Sequence, residues 1–308
     1  MSDDRLLFDR KLLRARRARF APLISAHDFL LSQVATEIPD RLAAILRDFP
    51  TALDLGAYAG SLGRSVAKLP SVVRVIYAES VPALATLCPR PSLVCDEDLL
   101  PFRDASLDLV VSGLALHRVN DLPGCLVQIR RALRPDGLFM AALLGARSLI
   151  ELREALLTAE AESEGGASPR VAPFADVRDY GALLQRAGFA LPVADADCLT
   201  LSYPSPQALM REIRVLGGGN VLLSRRKAPL PRRVLARAEE IYRERYGTAD
   251  GKILATFEIV YLTGWAPDAS QPKALKPGSA AARLADALGT KEQSAGDKAG
   301  FAVKKPGR

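Results

Sequence analysis

Three observations predict an α/β fold with a seven-stranded, mostly parallel sheet and helical lid segments. From Thr51 onward, short apolar runs alternate with helical stretches, the pattern of a parallel sheet with crossover helices. The first run ends in glycines just before a helix, at Leu53-Asp54-Leu55-Gly56-Ala57-Tyr58-Ala59-Gly60. The next two runs end in acids, at Glu79 and at Asp96-Glu97. With 308 residues, 49% apolar and 25% charged, the chain has enough apolar surface for such a core and too much for a disordered protein.

The elements follow in order. Residues 52–55 read as the first strand and 60–68 as the helix it feeds. Residues 72–78 are rich in β-branched side chains and form the second strand; 93–95 form a short third. Residues 107–112 are apolar throughout, as expected of a strand buried on both faces. Leu122, Cys125, Leu126, Ile129, Ala132 and Leu133 recur at helical spacing, and Arg134-Pro135-Asp136-Gly137 is a turn into the fifth strand, 138–144. These segments predict five βα units. Helices are expected at 148–164, 176–187, 206–216 and 232–246, with two further strands at 199–203 and 256–262. The last 43 residues, nearly without aromatics, are expected to be a disordered basic tail. The organisation is therefore an N-terminal helical segment (1–47), a main domain (48–265) and a tail (266–308).

The net charge of +7 is unevenly placed. The first 20 residues carry a net +4 and residues 266–308 another +4, which leaves the body at −1 and argues against nucleic acid as a partner. No apolar run approaches the ~20 residues that a spanning helix needs. Asp3 and Asp4, with no apolar segment before the basic run, predict neither a secretory signal nor a transit peptide, so the expected location is cytoplasmic. Cys88, Cys95, Cys125 and Cys198 have no metal-ligand spacing, and with only two histidines no metal site is expected; buried, reduced thiols are.

The chemistry gathers at the strand ends. A strand ending in glycines before a helix lets a ligand approach the backbone, and the helix N-terminus offers unpaired N–H groups. Glu79, 23 residues after Gly56, can accept both ribose hydroxyls of a nucleoside, and Asp96 can accept an adenine amino group between Leu99 and Phe102. Asp54, Gly56, Gly60, Glu79, Asp96 and Glu97 are the candidate cofactor residues. Asn120 and Asp121 read as caps of the helix that follows, Tyr242 and Tyr246 as packing, and Arg225-Arg226-Lys227 with Arg232-Arg233 as a solvated helix entrance.

The order of parts resembles the class I S-adenosylmethionine-dependent methyltransferases, with their Rossmann-like sheet. Within them the chain resembles the family of mitochondrial complex I assembly factors described as protein arginine hydroxylases, with its alphaproteobacterial relatives. Phe8-Asp9-Arg10, Leu53-Asp54-Leu55-Gly56, Asp96-Glu97 with Leu100-Pro101-Phe102, Leu116-His117, Pro135-Asp136-Gly137, Glu151-Leu152-Arg153, Glu164-Gly165-Gly166 and Tyr203-Pro204 carry the likeness, from about residue 8 to Trp265. It implies S-adenosylmethionine as cofactor and a protein substrate, a complex I subunit. It also implies His117, after the fourth strand, as a candidate base or substrate-orienting group. Two positions depart from the pattern: Tyr58 stands where a second glycine is usual and crowds the methionine end of the cofactor, and Arg118 stands where relatives carry an aromatic. An O-methyltransferase of the acyl-carrier type used in biotin synthesis, and a non-catalytic assembly protein with a degenerate site, are the alternatives. The basic N-terminal helix is expected either to lie across the cofactor site or to meet a protein or the periphery of a membrane.

Overall fold

The computed structural model describes residues 6–272 and 284–291. Two helices open the chain, α1 (Arg10–Phe20) and α2 (Phe29–Ala43). The sheet then begins with β1 (Phe49–Leu55), α3 (Ser61–Val66), β2 (Val72–Glu79), α4 (Pro82–Ala85) and β3 (Ser92–Val94). It continues with β4 (Leu107–Gly113), α5 (Leu122–Ala132), β5 (Leu133–Leu144), α6 (Ile150–Glu164) and α7 (Val177–Arg186). It closes with β6 (Ala190–Tyr203), α8 (Pro206–Val215), α9 (Arg232–Tyr246) and β7 (Ile253–Trp265). The strand order is β3-β2-β1-β4-β5-β7-β6. Strands β1 to β5 are parallel, and β7 runs antiparallel to both of its neighbours.

Because side chains alternate along a strand, each inner strand feeds two cores. Leu53, Leu55, Val110 and Phe139 belong to the core that includes Cys125, Leu126 and Ile129 of α5 and Leu184 of α7. Ala52, Val111 and Met140 belong to the other, with Ile38 of α2, Val66 of α3, Leu156 of α6 and Ile241 of α9. Each such leucine or isoleucine, fully withdrawn from water, contributes roughly 1.5–3 kcal/mol. The register sets Asp54 level with Tyr77 and Val111, and Leu55 with Ala78, so the C-terminal ends of β1, β2 and β4 meet at one edge.

Several expectations are corrected. Only the β1–β2, β2–β3 and β4–β5 links among the five parallel strands carry helices; β3 joins β4 through a loop that holds Asp96-Glu97-Asp98. Residues 134–137 form an irregularity inside β5, because Leu133 pairs with Leu107 while Leu138 pairs with Leu109. The sixth strand starts nine residues earlier than its apolar end suggested, since pairing with β7 supports a half-exposed, acid-bearing stretch. Cys88, Cys95 and Cys125 are buried thiols, but Cys198 on β6 is exposed. The unit ending at Asp268 contains all of this; in the remainder, Leu284–Leu288 forms a short helix, and most of the expected tail lies outside the described residues.

Candidate functional site

Asp54, at the end of β1, is fully buried. Its Oδ2 accepts the Gly63 N–H at 2.9 Å, while Oδ1 has no partner. Burial pushes its carboxyl up to about 7. The glycines serve the protein's own packing: Gly56 has φ +71°, and a Cβ there would stand 2.2 Å from Ala115 Cβ. Gly60, at φ +84°, caps α3 from the left-handed region, where L side chains are strained.

Glu79 ends β2 almost fully buried. Its Oε1 accepts the Val81 N–H at 2.9 Å, and its Oε2 accepts both the Tyr58 N–H at 2.8 Å and Arg17 Nη2 at 2.9 Å. Burial raises its pKa despite Arg17. Arg10 Nη2 lies 2.5 Å from Asp96 and also pairs with Glu97, and Arg14 pairs with Asp96. Burial opposes ionisation of Asp96, but the Asp98 N–H and the two guanidinium groups hold it below the usual range.

Arg10, Arg14 and Arg17 are spaced i, i+4, i+7, so α1 presents all three from one face. Helix α1 therefore lies across the strand ends, one of the two placements expected from the sequence. It is capped by Asp9, which accepts the Leu12 N–H at 2.9 Å. It is also tied down by Asn120, whose Oδ1 accepts from Leu7 and Phe8 at 3.0 and 2.8 Å and whose Nδ2 donates to Phe8 O at 3.0 Å. Asn120 is thus no helix cap; only Asp121 caps α5, accepting from Gly124. Arg225 pairs with Asp9, and Arg226 and Arg233 with Glu164, so the basic stretch expected to be a solvated entrance makes internal ties.

Tyr58 adopts φ +52° and turns inward. Its hydroxyl donates to Leu114 O at 3.0 Å, and the Arg17 guanidinium stacks over its ring at 4.0 Å. The space left among Asp54, Gly56, Tyr58, Ser61, Leu62 and Gly113 is about 10 Å³, roughly one water's worth. Leu99, expected to wall an adenine ring, is 75% exposed. The acceptor set suits a nucleoside cofactor, but the arrangement does not fit one: every carboxylate that would hold the ribose or base already holds α1.

His117 stands apart from these acids. It lines a cavity of about 210 Å³ that also has Tyr58 in its wall, with Arg118, Phe174 and leucines of α2 and α6. It is 7% exposed, neither ring nitrogen has a partner, and Phe174 meets its ring edge-on at 5.5 Å. Burial, then Arg118 and Arg17, hold its pKa well below the usual value, so the ring is neutral at pH 7. The arginines of α1 were missed as site residues; their one-face spacing was the available signal.

Among the described residues, no group of three or more His, Cys, Asp or Glu could hold a metal ion, and no helix is long and apolar enough to cross a membrane. Residues 53–141 match the family described as a methyltransferase domain. YcgJ of Bacillus subtilis shares the fold at TM-score 0.53 and 15% identity, covering 77% of this chain and 99% of that one. The fold and the match together define a member of the class I S-adenosylmethionine-dependent methyltransferase superfamily. The mitochondrial arginine-hydroxylase NDUFAF5 of Danio rerio is 37% identical over 288 residues, 91% of this chain and 89% of the relative. Its Homo sapiens counterpart is 40% identical over 280 residues, 89% and 81%. The malonyl-[acyl-carrier protein] O-methyltransferase of Halorhodospira halophila is 35% identical over 244 residues, 77% and 81%. The chain belongs to the arginine-hydroxylase NDUFAF5 family.

Proposed function

We propose that the chain acts on an arginine side chain of a protein substrate, a subunit of respiratory complex I, as an arginine hydroxylase-like assembly factor. The observation that carries this reading is likeness to relatives named arginine-hydroxylases over about nine-tenths of the chain, far beyond the generic methyltransferase match that stops at residue 141. Glu79, Asp96 and Glu97 form an acidic cluster of the kind that matches guanidinium groups, and Arg10, Arg14 and Arg17 of α1 occupy it, so a substrate arginine would have to displace them. S-adenosylmethionine, the superfamily's cofactor, would call on Asp54, Gly56, Gly60, Glu79, Asp96 and Glu97, and three of these are spent on α1. The encounter is assigned to the cytoplasm or the periphery of the inner membrane; Arg10, Arg14 and Arg17 are not offered as the membrane contact, because they face carboxylates.

Mass spectrometry of complex I subunits from a strain lacking this chain tests the proposal. An arginine should lose its added oxygen; hydroxylation that persists unchanged overturns the reading. The second reading, methyl transfer to an acyl-carrier substrate, draws on the Halorhodospira relative and the apolar cavity. Loss of a methyl ester, with hydroxylation intact, would decide for it.

A further inference from the structure

We propose that the cavity behind Tyr58 is a binding site for an aliphatic carboxylate of the fatty-acid class, with the chain among the leucines and the carboxylate held by His117 and Arg118. The proposal does not rest on the arginine-directed reading.

Size and lining come first. The cavity, about 210 Å³, exceeds the ~150 Å³ of an apolar cavity known to take up benzene. Leu30 and Leu31 of α2, Leu149, Leu152 and Leu156 at α6 and Met210 of α8 line it. Phe8, Tyr58, Phe174 and Phe257 line it as well, so the wall is apolar nearly throughout, and the aliphatic side chains give an alkyl chain its contacts.

The polar groups come second. A buried imidazole is normally hydrogen-bonded, yet both nitrogens of His117 lack a partner. As a neutral ring it has one N–H to donate to a carboxylate. Arg118, the next residue, lines the same cavity and spends Nη1 on Gly217 O at 2.6 Å. It has no ion pair among the described residues, and the acids at the strand ends are taken by Arg10, Arg14 and Arg17. Arg214, exposed on α8, lines the cavity too and has no ion pair among the described residues. Of the lining cations, Arg170 is neutralised, by Glu160. An apolar hollow bordered by an unpaired guanidinium and an unpartnered imidazole lacks an anion attached to an alkyl chain. A neutral alkyl ligand would leave Arg118 uncompensated, and a bare anion would leave the leucines unfilled.

Calorimetry on the full chain with decanoate, 1-decanol and acetate tests this. Decanoate should bind at least tenfold more tightly than 1-decanol, with no measurable heat from acetate. Arg118→Gln should weaken decanoate at least tenfold while leaving 1-decanol unchanged. Leu152→Trp, which fills the cavity, should abolish both. Because that variant can fail to fold, imidazole NMR gives a second readout on the wild-type chain. Decanoate should shift His117 and leave His27, the other histidine, in place. Equal affinity for decanoate and 1-decanol, an unmoved His117, or decanoate binding unaffected by Arg118→Gln each overturns the proposal.

Discussion

Two hollows share Tyr58 as a wall, and the polar groups around them are matched to different degrees. At the strand ends Glu79, Asp96 and Glu97 receive three guanidinium groups from α1, and the adjoining hollow beside Asp54, whose Oδ1 alone is left over, keeps about 10 Å³. In the other, about 210 Å³ stays open, with an imidazole that bonds to nothing and an arginine without a counter-charge. Acids of the type that bind a nucleoside can thus be consumed by the protein's own helix. Unsatisfied polar groups, more than the presence of a familiar motif, mark where an incoming ligand has something left to gain.

The sharpest way to break this contrast is Arg17→Met. It leaves Glu79 buried without its cation, and breaking such a pair from one side costs ~3–5 kcal/mol. Urea denaturation should show that loss, and adding Glu79→Gln should recover much of it. A loss below 1 kcal/mol would mean that α1 is not held by this pair.

Asp54 tests the same floor through pH. Its folded pKa is about 7 against an ordinary 3.8, so between those values the folded chain binds more protons than the unfolded one. Its contribution to stability therefore falls as pH rises from about 4 to about 7, by up to ~4 kcal/mol. Asp54→Asn should flatten that decline in denaturation curves taken across the window; an unchanged slope would rule out Asp54 as its source.

Tyr58→Gly joins the two hollows. Removing a buried aromatic costs ~3–5 kcal/mol, and relief of its left-handed backbone returns ~1–2 kcal/mol, so a net loss of ~1–4 kcal/mol is expected in the melting curve. Combined with Arg17→Met it opens the methionine end of the site and frees Glu79 for the ribose hydroxyls, while Asp96 and Glu97 stay with Arg10 and Arg14. Calorimetry should then show S-adenosylmethionine binding at least tenfold tighter than to the wild-type chain. Tight binding by the wild type would show that the closed pocket opens without help. The smallest effect is expected from Asn120→Ala, which removes the bonds to Leu7 and Phe8; a loss of ~1 kcal/mol should appear, with loosened α1 visible as faster amide exchange.

Much of the fold was legible residue by residue. α9 matches its sequence pattern to the residue, and β4 within one, because helical spacing and a run buried on both faces are local signals. β6 was legible only over its last five residues; Asp195 and Asp197 carry no strand signal and are held by their register against Tyr261 and Ile259. The site divides similarly. The acids at the ends of β2 and β3 could be named from spacing, but what they bind could not, since Arg17 and Glu79 are 62 residues apart. Asn120 was read as a cap for its neighbour and instead holds Phe8, 112 residues away.

By itself the sequence determined the residue types: glycines where a strand turns into a helix, acids at strand ends, arginines on one face of α1, a histidine after β4. Hydrophobic period and spacing set these, and both act over a few residues. Only the tertiary structure decided the pairings. Whether Glu79 holds a ligand or Arg17 depends on where a distant helix docks, and that follows from packing, tethers and desolvation, which no short window of sequence contains.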